Sequence, residues 1–486
     1  MSVSDARDAT VAADSAAKAG ERRGSGFFSR LLKALRIYRP SKKSAEIAAQ
    51  DIEPERFIPL SRLEVNTRLA LPEMWPADQA ADTKRFFRYL SAWRHVTYNE
   101  FLDRLDSDYN YFSPDSDVIL TDEKSPEDLA LLRTDFLALI RRLLEQANFN
   151  EIPQVQLDKL LTRESEYGLD LHVDFDDYDE VMVFWRGTGQ KTRTVRRMQS
   201  LYLKKETVTY HNYKRLFLLL KLKDSEKRIK ELMAKEGMDA KRARKELKQR
   251  RKMLPVDASS KYIYLKIFKD IPRSDMEMMF PNTRVKMRAA DKIKLTLTAG
   301  SGIGGAIAAP LIKVLAATSL LVLSPMTWAL AGLGLAGVAS RQVGNIMSQR
   351  NRYRAVLAQN LYFHSLADNR AALTLLTSRA EEEDIKEEML LYSVLAKTNV
   401  RRDELADVRA AIVGYLETEY GVKVDFDAAD ALRRLIYDGV VKETPDGMLK
   451  ALSPGEGIHH LDGLWDAYLD PAKKDRSLLL EDAMKT

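Results

Sequence analysis

Asp174, Asp176, Asp177, Asp179 and Glu180 put five carboxylates into seven residues, and carboxylates at turn spacing can supply oxygen ligands to a hard cation. The order D-x-[DN]-x-[DN]-G of a calcium loop is not met, so the run reads first as a solvated turn. Gly300-Ser-Gly302-Ile-Gly-Gly305 fits G-x-G-x-x-G. A dinucleotide site would also need an acid about twenty residues later to hold the ribose. After Asp291 the next acid is Asp368, so these glycines read as helix packing. The chain has no cysteine, which excludes disulfides, cysteine nucleophiles and thiolate metal sites together. Its six histidines are scattered, and no HExxH, P-loop, GxSxG elbow or kinase set is present. The residues therefore predict no enzyme, no cofactor and no metal. An enzyme site near the acidic 174–180 turn stands as the alternative.

Charge points to binding instead. From Lys191 to Lys252 there are 22 Lys and Arg against 7 Asp and Glu, a local charge of +15 in a chain whose net charge is +6. Such a block either meets something anionic or is a solvated helix. Lys241, Arg242, Arg244, Lys245, Lys248, Arg250, Arg251 and Lys252 are the candidate contacts with an anionic surface, expected to be lipid. A nucleic-acid role for the 191–252 block is the weaker alternative, so nucleic acid is not an expected partner.

These residues need elements to hold them. Residues 1–50 read as a disordered tail containing a basic amphipathic segment at 26–40, and 51–165 as a helical region. In the latter, Ser125-Pro126-Glu127-Asp128 supplies an N-cap, a first-turn proline and an acid at N3 ahead of periodic leucines. Residues 166–290 switch period: Leu169–Phe175 alternates with polar neighbours, Glu180–Trp185, Tyr213–Leu222 and Tyr262–Phe268 are further β runs, and short spacing between turns predicts an antiparallel β domain. A charged helical insertion at 224–252 carries too few apolar residues to bury a wide stripe.

From Leu295 to Ser340 the chain has 46 residues and one charge, Lys313. That length predicts a transmembrane helical hairpin within 291–347, two passes rather than one. Gly300, Gly304 and Ala308, and Gly332, Ala336 and Ser340, repeat at four-residue spacing and would let the two helices pack closely. Basic residues on both sides predict an integral membrane protein with the bulk of the chain on the cytoplasmic-type, positive face, and the lipid bilayer as a partner.

Residues 348–470 read as helical with a winged-helix-like end, helices followed by a hairpin around Pro445-Asp-Gly447, and 471–486 as a C-terminal tail. Winged helices often bind DNA, but residues 381–450 hold 17 acids against 10 bases, which opposes phosphate. A protein partner is the expectation for this end. Asp174–Glu180 with Phe184-Trp-Arg-Gly187, Tyr264–Pro272, Asp275–Val285, Asn360–Leu366 and the acidic helix Glu381–Leu391 resemble the transmembrane protein 143-like family over roughly residues 90–470. The resemblance implies a multi-domain protein with a membrane hairpin and implies no activity or catalytic residue. Together the readings predict an α+β multi-domain, membrane-anchored protein serving as a non-enzymatic scaffold or adaptor.

Overall fold

A computed structural model describes residues 54–161, 170–196, 205–251, 258–273, 284–286 and 363–468, with isolated positions between 254 and 281. In chain order the described elements begin with α1 (Arg62–Leu69), α2 (Ala80–Tyr109), α3 (Pro126–Gln146), β1 (Asn150–Glu151), α4 (Gln154–Leu161), β2 (Asp170–His172), β3 (Tyr178–Arg196) and β4 (Lys205–Leu222). They continue with α5 (Ser225–Glu236), α6 (Ala240–Arg250), β5 (Ile263–Pro272), β6 (Arg284–Lys286), β7 (Ser365–Asp368) and α7 (Asn369–Leu395). Last come β8 (Val400–Arg401), α8 (Leu405–Tyr420), α9 (Ala428–Tyr437), β9 (Val441–Glu443), β10 (Met448–Ala451) and α10 (Pro454–Tyr468). The class is mixed α+β with antiparallel sheets.

Two compact units divide the chain. Met1–Asn150, Phe184–Thr188 and Ala367–Thr486 form the first, Glu151–Val183 and Gly189–Leu366 the second.

The first unit is built around α7, whose residues from Glu383 to Leu395 are buried on every side. Tyr392 lies 4.3 Å from Phe86 and 6.1 Å from Trp75, ring centre to ring centre, tying α2 to the chain just after α1. Ile385, Met389 and Val394 join Ala411, Ile412, Leu432 and Leu435 of α8 and α9 in the same core. Local chemistry sets the ends of these helices. Ser125 accepts the Asp128 N–H at 3.1 Å with Pro126 at the first position of α3, and Asp427 accepts the Ala429 and Asp430 N–H groups at the start of α9. β10 pairs antiparallel with both β8 and β9, and the β9–β10 register sets Leu449 opposite Glu443 and Ala451 opposite Val441.

In the second unit β4 and β5 pair antiparallel from Asn212↔Pro272 to Lys221↔Ile263. Leu216, Phe217, Leu218, Leu219 and Leu220 are all buried, so this stretch of β4 is covered on both faces. Between the two strands α5 and α6 form a helical hairpin. Asp224 caps α5 by accepting from Glu226 and Lys227 N–H, Gly237 ends it in the left-handed region at φ 62°, and Asp239 caps α6 through the Arg242 N–H. Ile229, Leu232, Ala243 and Leu247 give the hairpin a small core of its own.

Among the described residues no helix is long and apolar enough to cross a membrane. The longest, α2 with 30 residues and α7 with 27, have the length, but charged side chains interrupt both. Within the described residues this contradicts the membrane and transmembrane-helix expectation. The 291–347 segment on which it rested lies outside the described residues, with Gly300, Gly304, Ala308, Gly332, Ala336 and Ser340. So do the 1–50 tail, its 26–40 segment and the 471–486 tail.

Candidate functional site

The acidic turn is partly solvated, with Asp176 exposed, Asp174 half-buried and Asp177 buried, and its carboxylates are held by basic side chains. Phe175–Asp177 form a 3-10 turn started by Asp174, whose side chain accepts the Asp176 N–H, and Asp177 is buried. Arg228, from α5, lies 2% exposed among these carboxylates, with Nε 2.9 Å from Asp177 Oδ1, Nη2 3.4 Å from Asp174 Oδ2 and Nη1 3.5 Å from Asp176 Oδ2. Arg250 of α6 pairs with Asp174 and also with Glu236 and Glu246. Lys235 donates to Asp176 at 3.0 Å, and this contact holds the Asp176 carboxyl below its usual range. Burial works against the charge of Arg228, but Asp177, Asp174 and Asp176 outweigh it and raise its pKa. The turn is thus a latch that fastens the α5–α6 hairpin to its own unit.

That latch divides the predicted cation set. Arg250 is buried, and Arg251 donates to Ser225 Oγ and to the Lys223 carbonyl, so both are structural. Lys252 lies outside the described residues. Lys241, Arg242, Arg244, Lys245 and Lys248 stay exposed on α6, because Ala243, Leu247 and Arg250 take the inner face. Lys241, Arg244, Lys245 and Lys248 follow the i, i+3, i+4, i+7 pattern of a single helix stripe.

The first unit contains an ion network that the sequence reading missed. Six carboxylates, Glu383, Asp384, Glu387, Glu388, Asp430 and Asp438, meet four buried cations, Arg94, Arg186, Lys386 and Arg434, with Arg433 pairing Asp430 at the edge. Arg434, from α9, bonds Glu388 Oε1 through Nε at 2.9 Å and Glu387 Oε2 through Nη2 at 2.8 Å, and its Nη1 lies 3.3 Å from Asp384 Oδ1 and against Asp430. Arg94, from α2, reaches Glu388 at 2.8 Å and Asp438 at 2.5 Å. The Trp93 indole N–H donates to the other Asp438 oxygen at 3.1 Å, and the Tyr98 hydroxyl to Asp384 at 2.7 Å. Glu383 accepts from Arg186 at 2.6 Å, from Lys386 at 2.7 Å and from the Ile58 N–H at 2.9 Å.

Glu388 Oε2 is buried without a hydrogen-bond partner. Burial among neighbouring acids pushes Glu387 up to about 7, although Arg434 pulls the other way, and Asn148, itself left-handed at φ 60°, donates to its second oxygen at 3.2 Å. Oxygens of Asp384, Glu387 and Asp430 lie within 4.8 Å of one another, close enough to share a metal ion. The guanidinium of Arg434 contacts all three, however, and the Gln146 amide donates to Asp384 and Asp430 at 2.9 and 3.0 Å. The cation this cluster is built around is an arginine.

The missed signal was the pattern around the acids. Ile385, Met389, Leu390, Leu391 and Val394 set apolar residues on several sides of the helix among the acids, and charges on a helix buried that way need partners. A model of a family of proteins of unknown function (DUF3754) matches residues 178–371, and no solved structure matches the chain.

Proposed function

We propose that the chain is a non-enzymatic adaptor that contacts a protein partner through its C-terminal end. The observation that carries this reading is the inward course of Arg434. In a DNA-reading winged helix the last helix turns its cations to phosphate, whereas here Arg434 is 2% exposed and held by four carboxylates, while Arg433 pairs with Asp430. The order α7, β8, α8, α9, β9, β10 supports a winged-helix-like reading of this end. Tyr437, Lys442, Glu443 and Lys450 are exposed at this end, an aromatic group and charges of both signs, which suits a protein contact better than a polyanion. The exposed stripe on α6 supports a second contact, with an acidic protein surface.

The test is quantitative capture by the full chain, compared with a Tyr437→Asp, Lys442→Glu variant of unchanged thermal stability. One protein should be enriched by the wild type and lost with the variant. Equal capture by both, or salt-sensitive duplex DNA binding lost in the variant, contradicts the proposal.

A further inference from the structure

Helix α10 lies unusually close to α2. A Cβ at Gly457 would sit 2.6 Å from the Phe86 ring, so only glycine permits this approach. Beyond that contact the two helices border an open pocket of about 310 Å³ walled by Tyr89, Trp93 and Trp465, with Arg88 and Asp462 at its sides.

The aromatic wall is firmly built. Trp93 is held by its bond to Asp438, and Tyr468 stands edge-on to it at 6.3 Å and 6.2 Å from Trp465. The Tyr468 hydroxyl is hydrogen-bonded to Glu100, which with partial burial and nearby Asp103 pushes its pKa up to about 12. Asp462 borders the pocket beside Arg88, and two further carboxylates, Glu100 and Asp103, lie about the Tyr468 ring that packs against Trp93 and Trp465. Tyr89 and Trp465 remain half-buried, so the rings are open to a visitor. Aromatic faces carry negative potential and attract ammonium and guanidinium groups, and carboxylates beside them add to that attraction. An acidic ligand would meet both as repulsion.

We propose that this pocket receives the lysine or arginine side chain of a basic segment on a protein partner. The inference rests on the protein-contact reading above and supplies the partner's chemistry. Trp, Tyr and Arg around a concave site are the residues that dominate interface affinity, so one inserted cation can anchor a longer contact.

The experiment uses the full chain and three labelled twelve-residue peptides, lysine-rich, glutamate-rich and leucine-rich, read by fluorescence anisotropy, with tetramethylammonium as a small competitor. The lysine-rich peptide should bind best, quench tryptophan emission and be displaced by tetramethylammonium. Trp465→Ala and the exposed Asp462→Lys should each weaken it about tenfold, near 1.4 kcal/mol, and Arg88→Ala should strengthen it. Stronger binding of the glutamate-rich or leucine-rich peptide, or lysine-peptide binding indifferent to both Trp465→Ala and Asp462→Lys, overturns the inference. Partner capture that depends on Tyr437 but not on either pocket variant also overturns it, while leaving the adaptor reading in place.

Discussion

Arg434 joins more of the first unit than any local motif does. Removing its charge strands Asp384, Glu387, Glu388 and Asp430 together, three of them fully buried. Breaking a buried pair from one side typically costs about 3–5 kcal/mol, so Arg434→Met should lower the urea midpoint by that equivalent. Glu387 gives a sign that can be checked. Its folded pKa, about 7, lies above the usual glutamate value, so its contribution to stability is complete below about pH 4 and is lost as pH rises through 7. Glu387→Gln, which mimics the protonated form, should therefore gain on the wild type between pH 5 and 8, by about 3 kcal/mol at roughly 1.4 kcal/mol per pKa unit. Parallel pH profiles from urea unfolding would refute this. The charge balance of 381–450 was legible, but a balance does not say which way a side chain faces. The partners Arg94 and Arg186 lie some two to three hundred residues away in sequence.

At the level of elements, caps and periods were readable and docking was not. The Ser125-Pro126 start of α3 and the apolar β runs of β4 and β5 are local signals, and the structure has those elements where they fall. The acidic turn and the charged insertion were each visible, yet their pairing depends on the sheet that brings Asp174–Asp177 to Arg228. Two substitution sets separate latch from surface. Arg228→Ala should loosen the α5–α6 hairpin and cost several kcal/mol, because Asp177 would stay buried and unpaired. Lys241→Glu with Lys245→Glu and Lys248→Glu should leave thermal unfolding nearly unchanged, since surface changes away from packed features usually stay within about 0.5 kcal/mol each. In α10, Gly457→Leu should separate α10 from α2 and lower the melting temperature, whereas Gly463→Ala, with open space around its Cβ position, should not.

For the whole molecule, apolar periodicity and turn spacing pointed to the mixed α+β class, and the charge-free run from Val314 to Ser340 suggested a membrane protein. Apolar length alone carries no information about what covers it, and among the described residues the long helices are charged ones, none of them fit to cross a membrane. What the described residues hold are buried ion networks within each unit, and the exposed faces of α6, α9–β10 and α10 are the surfaces on which the proposed contacts are to be tested. The most direct measurement places a photo-crosslinking residue at Tyr437 of the full chain and, as the control, at Leu131, an even more accessible position on α3. A single discrete protein adduct from Tyr437, with none from Leu131, is the predicted result. The same adducts from both positions, or none from Tyr437, would contradict the account.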